Sequence, residues 1–162
     1  MGLTAQAAFW FLPAVIPIAV FVAWNDMRVM KIPNRAAGAL LASYAILGPF
    51  ALGLDLYLWH WTHFAIVLAV GMMFWAARVI GGGDVKFMAA AAPMVAVADL
   101  QMFMLIYASC LIAALATHRL AKHSPLRNLA PDWVSWDNSR FPKGLALSGT
   151  LLFYLLVIAV TR

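Results

Sequence analysis

Arg78-Val79-Ile80-Gly81-Gly82-Gly83-Asp84-Val85-Lys86 separates two strongly apolar runs of the chain. Three consecutive glycines remove every Cβ at the point where a helix would start or continue. An acid and then a base follow within three residues. A charge at the edge of a bilayer is costly and usually functional. Taken alone, this stretch reads equally well as a flexible turn between two membrane helices. A second aspartate elsewhere in the chain changes that balance.

Working outward, composition narrows the class. The chain has 162 residues, of which 65% are hydrophobic and 10% charged. That excludes disorder and argues against a soluble domain, and the length suits one membrane-embedded domain covering residues 1–162. The net charge is +5, but no basic stripe with interleaved aromatics is present, so nucleic acid is not expected as a partner. The single cysteine, Cys110, lies inside an apolar run and leaves no disulfide or Cys-x-x-Cys zinc motif. Residues 1–25 carry no charged side chain, so the basic n-region of a signal peptide is missing. They are expected to form a retained first span.

Six apolar runs follow one another, near 6–24, 36–54, 62–77, 85–98, 100–117 and 144–160. The expectation is therefore an all-α polytopic membrane protein with six transmembrane helices. Most runs approach the ~17–25 residues that cross a bilayer. The fourth does not. Its residues reach only ~21 Å as a helix, so it needs a thinned bilayer or neighbours that shield its ends. Fusing runs four and five into one long helix conflicts with the charges. Arg78 and Lys86 precede run four, and Arg119, Lys122, Arg127, Arg140 and Lys143 follow run five. Basic loops face the cytoplasm, which requires an even number of crossings between them. Asp99 then marks an outer turn. The resulting map has the N-terminus outside, the loops 25–35, 78–86 and 118–143 inside, and 55–61 outside. Ten of the eleven Lys and Arg residues fall inside, Arg162 being the exception. Trp59, Trp61, Trp133 and Trp136 flank spans as interfacial anchors. The loop 118–143 is expected to lie along the membrane surface.

On this map Asp26 and Asp84 are the two acids at inner span ends. Asp132 and Asp137 lie mid-loop, and Asp55 and Asp99 lie outside. Two carboxylates sharing a site repel, which favours one proton between them. Such a pair can hold a water, with one member as base and the other as acid. This is peptide hydrolysis without a covalent intermediate. Gly81, Gly82 and Gly83 offer backbone that an extended peptide can approach. Lys86 would stabilise an ionised Asp84 or frame the site, while Arg28, Lys31, Arg78 and Lys86 can equally hold lipid phosphates. Pro33 and Asn34 suit the start of the second span. His60 and His63 are expected at the outer interface. His118 and His123 fall in the inner loop, and two carboxylates with one of them make a poor site for a hard metal. No metal and no cofactor is expected. The alanines 89–92, with Ala96 and Ala98, allow close approach of helices around Asp84.

Two stretches now carry a resemblance. Asp26-x-Arg28-x-x-Lys31-Ile32-Pro33-Asn34 and Gly81-Gly82-Gly83-Asp84-Val85-Lys86 resemble the two signature motifs of the prepilin peptidases. These are membrane aspartic proteases of the GxGD type, also called leader peptidases of type IV pilins. Phe141-Pro142-Lys143-Gly144-Leu145-Ala146-Leu147 resembles the family's Pro-x-Gly segment opening the last span. The resemblance implies six helices and Asp26 and Asp84 as the catalytic pair. It also implies cleavage after a glycine of a basic prepilin leader at the cytoplasmic edge of the inner membrane. Longer members carry a cysteine-bearing N-terminal insert and methylate the new N-terminus. This chain is similar to the short form, associated with tight-adherence (Flp-type) pili, and no methylation is expected. Pilus assembly machinery and membrane lipid are the further partners implied. Lys143, at a position often aromatic in relatives, is a departure.

Two other readings compete. A small ion-coupled transporter would use Asp26 and Asp84 as a cation or proton site, but such sites lie near the midplane and between repeated halves, and no repeat is visible. A nonenzymatic subunit of a secretion platform would explain the topology and leave the acid pair without a purpose. The charge map is directly testable. In a Cys110→Ala background, a cysteine at Ser124 should resist an impermeant maleimide in intact cells and react after the inner face is opened. A cysteine at Asp55 should react from outside in both preparations.

Overall fold

The computed structural model describes residues 2–138 and 140–162. Among the described residues there are six α-helices: α1 (Ala5–Val29), α2 (Asn34–Leu52), α3 (Leu54–Ala76), α4 (Gly82–Ala91), α5 (Leu100–Lys122) and α6 (Lys143–Thr161). No strand occurs among the described residues. Five helices are long and apolar enough to cross a membrane, as in a polytopic membrane protein. The exception is α4. Its ten residues cover ~15 Å, about half of a ~30 Å hydrocarbon core.

The core forms around α1, which packs most extensively on α6 and next on α2. Lipid is as apolar as a leucine side chain, so close fit rather than water exclusion holds such helices together. The inner faces supply small residues accordingly. Ala7, Ala8 and Ala19 of α1 and Ala146 and Ser148 of α6 are buried, beside the larger Phe11, Leu151, Tyr154 and Ile158. Ala89, Ala90 and Ala91 of α4 are buried as well, as their expected role in close packing requires. By contrast, α5 buries only Ala114 and His118 along its length. It rests chiefly on α6.

Two loops are shorter than the sequence suggests. The turn between α1 and α2 is only residues 30–33, because α1 continues through Asp26 to Val29. Met30 then takes a left-handed conformation, φ 56°, and its N–H closes on the Asp26 carbonyl at 2.9 Å. Asn25 donates its side-chain amide to the Lys31 carbonyl at 2.6 Å, which folds the turn back on the helix. The expected outer loop 55–61 is the start of α3, joined to α2 through Gly53 alone. Asp55 sits in its first turn, where an acid complements the helix dipole.

Runs four and five are separate, as the charges require. After α4 the chain makes two short 3₁₀ turns, Ala92–Met94 and Val97–Asp99, before α5 begins. Irregular backbone at membrane depth must be sheltered and its polar groups satisfied. His60 Nδ1 donates to the Pro93 carbonyl at 2.8 Å and His63 Nδ1 to the Val95 carbonyl at 3.1 Å. The carbonyl partners fix both tautomers, since only a protonated ring nitrogen can serve them. These histidines therefore brace the irregular segment, a role the sequence did not show. The short fourth run is accommodated by shielding neighbours.

One end of the molecule is pinned by Asp99, which is only 3% exposed. Its carboxylate accepts from the Leu3 N–H at 2.8 Å, the Tyr154 hydroxyl at 3.0 Å and the Arg162 guanidinium at 2.6 and 3.1 Å. Arg162 also donates to the Leu3 carbonyl at 2.7 Å. The one cation that departs from the charge map thus has its own acid. Asp99→Ala strips three donors of their acceptor. It should destabilise the protein by about 2–4 kcal/mol, read as a lowered Tm in detergent, whereas Asp55→Ala should change Tm little.

Candidate active site

Asp26 and Asp84 come from helices far apart in sequence and line one cavity of about 990 Å³. It lies at the opposite end of the molecule from the Asp99 cluster, at the C-terminal end of α1 and the N-terminal ends of α4 and α6.

Asp26 occupies the last turns of α1 and is buried. Its Oδ2 accepts the Gly144 backbone N–H at 2.6 Å. The first N–H groups of a helix lack partners within it, and Gly144 is the second residue of α6. Asp26 therefore caps α6 from a different helix. An added Cβ at residue 144 would lie 2.9 Å from the Asp26 carboxyl group. Only glycine allows this approach, which explains the Pro-x-Gly pattern at Pro142-Lys143-Gly144.

Asp84 lies in the first turn of α4, where the helix dipole favours negative charge. This helix is not one of the five spans. Burial pushes the Asp84 carboxyl above its ordinary range, and the nearby Lys143 ammonium opposes that shift. Lys143, left without a role by the sequence, is thus a cation of the site. Lys86 also lines the cavity, but its Nζ donates to Asn34 Oδ1 at 3.0 Å. It ties α4 to the start of α2.

The three glycines are not an extended edge. Gly81 has extended backbone and caps α4, while Gly82 and Gly83 are already helical. All three line the cavity. Close packing accounts for two of them. A Cβ on Gly83 would lie 2.9 Å from the Ile32 carbonyl oxygen, and one on Gly82 3.2 Å from Trp75 Nε1. The backbone of the α1–α2 turn therefore sits directly against the first turn of α4.

The rim is basic. Lys31, Arg78, Lys86, Arg140 and Lys143 face the same space as the two acids. The segment after α5 folds back toward it. His118 is buried, with its ring stacked on Trp136 at 5.3 Å and edge-on to Phe141 at 5.8 Å. Trp133 stacks on Trp136 in turn. Trp136 is thus an internal packing residue, and His118 is spent on holding Phe141 and its neighbours at the cavity. Sequence reasoning noted Gly144 only as part of a Pro-x-Gly pattern, without its bond to Asp26, and missed this aromatic stack.

The arrangement combines a polytopic helical fold of the membrane type with two carboxyl groups lining one cavity. A model of the type IV leader peptidase family matches residues 13–117, which include both aspartates and the glycine stretch. The chain belongs to that family of peptidases. No curated protein and no solved structure matches it.

Gly144→Ala should force Asp26 out of place, since the added Cβ would lie 2.9 Å from its carboxyl group, and a misplacement of about 1 Å can cost roughly 10²-fold in rate. Peptidase activity should fall to that extent with membrane insertion unchanged. Gly38→Ala, where an added Cβ meets open space, should leave activity near that of the parent.

Proposed function

We propose that the protein is an aspartic endopeptidase that removes the basic leader of a type IV prepilin of the Flp type. Cleavage follows a glycine at the cytoplasmic edge of the inner membrane. The single observation that carries this reading is the convergence of Asp26 and Asp84 on one cavity. Family membership and the two motifs support it.

One carboxylate takes a proton from a water held between the pair. The resulting hydroxide adds to the scissile carbonyl carbon. The other carboxyl group, protonated, first donates to the carbonyl oxygen. Collapse of the tetrahedral intermediate breaks the C–N bond, and the departing amine takes a proton. Two carboxyl groups with different surroundings suit this division of labour. Asp26 receives a backbone N–H and Asp84 faces an ammonium group.

The five basic residues on the rim bear on how substrate enters. A leader rich in Lys and Arg is repelled by them, so anionic lipid headgroups hold the leader beside the cavity. The scissile glycine and its immediate neighbours alone pass the rim. A glycine has no side chain to clear, which suits a site packed as closely as Gly82 and Gly83 require. One membrane domain suffices for this chemistry, and neither metal nor cofactor has a step in it.

The test is incubation of the purified protein with a short Flp-type prepilin, followed by mass spectrometry of the product. The parent enzyme should release the leader at a single glycine. Asp26→Asn and Asp84→Asn should each lower the rate roughly 10²–10⁴-fold, the range that general acid–base groups contribute, with insertion intact. Normal processing by either variant would defeat the assignment.

A further inference from the structure

Resting on the peptidase reading above, we infer that the apolar groove between α3 and α5 holds the membrane-spanning helix of the substrate. The groove has a volume of about 500 Å³. Ile66 and Val67 of α3 form one wall, Phe103 and Met104 of α5 the other, and Met88 and Ala91 of α4 the floor. α3 packs on α4, and α5 packs on α6, but no extensive contact joins α3 to α5.

Two observations select the occupant. The first is continuity with the catalytic cavity. Asp84, Met88 and Ala91 are spaced i, i+4 and i+7 on α4, so they share one face of the helix. The carboxylate stands at the head of the stripe that floors the groove. The cavity and the groove thus lie along the same face of α4. An apolar helix following a scissile bond has this geometry.

The second is the character of the walls. The groove is lined mostly by apolar side chains, and His63 Nδ1 is already committed to the Val95 carbonyl. The occupant is therefore apolar along its length, as the membrane-spanning part of such a substrate is. A lipid tail is the competing occupant.

Photocrosslinking distinguishes these occupants. Benzoylphenylalanine is placed at Ile66 or at Met104 in Asp84→Asn protein, which keeps substrate uncut, and at Phe50 on the exposed face of α2 as a control. The samples are proteoliposomes containing a short Flp-type prepilin. Adducts to the apolar segment of the prepilin are expected from positions 66 and 104 and not from position 50. Adducts to lipid alone, or equal prepilin adducts from all three positions, overturn the inference. In otherwise unaltered enzyme, Ile66→Trp and Met104→Trp narrow the groove. Each should raise KM for prepilin at least fivefold and change kcat less than twofold. Unchanged KM in both also overturns it. Should the unaltered enzyme leave prepilin intact, the peptidase reading fails instead, and the crosslinking still reports what the groove binds. Should it cleave prepilin while positions 66 and 104 stay silent, the groove assignment alone falls.

Discussion

A single hydrogen bond, from the Gly144 N–H to Asp26 Oδ2, sets the terms for the rest of the molecule. It joins the end of α1 to the beginning of α6, the two helices that make the largest contact in the fold. Near a bilayer, an uncapped helix terminus has little water to turn to. Asp26 resolves that for α6. In return, the bond orients one acid of the site. The same pair of helices is tied at its other end, roughly 35 Å away along α1, by Asp99 with Leu3 and Arg162. Fixed at both ends, α1 and α6 form a rigid spine. The other elements adjust around it, and α5 is attached mainly through α6.

The interrupted fourth helix is the second determinant. Stopping after ten residues exposes carbonyls at a depth where solvent is scarce, and His60 and His63 meet them. The same short helix delivers Asp84 to the cavity from its first turn. One local decision in the chain thus places a carboxylate and requires two histidines.

The number of apolar runs and the separation of runs four and five were legible in the sequence; Asp26 and Asp84 stood out by their place at span ends, but no spacing could show that both would line one cavity. Hydropathy and cation placement are dense local signals, and both survive folding unchanged. Span ends were less legible. Asp55, Tyr57 and His60 lower the local apolarity without ending a helix, because a helix at the membrane edge tolerates polar residues in its first turns. The same effect made Asp26 look like a loop residue. The contacts that matter most at the site left no local trace. Gly144 and Asp26 are 118 residues apart, and no spacing rule links them. The folded-back aromatic stack of His118, Trp136 and Phe141 reads in sequence as a polar loop with stray tryptophans. The Pro-x-Gly segment was noticed as a pattern, yet its reason, the space needed by a carboxyl group, is a three-dimensional fact.

The contact between Gly83 and the Ile32 carbonyl binds the history of two segments together. The α1–α2 turn is so short, and so closely applied to α4, that lengthening it by one residue would drive main chain into main chain. Insertions that surface loops usually absorb have no room here. Drift at position 83 is similarly closed unless the turn first retreats. Descendants of this sequence are therefore expected to conserve the length, more than the letters, of the turn at residues 30–33.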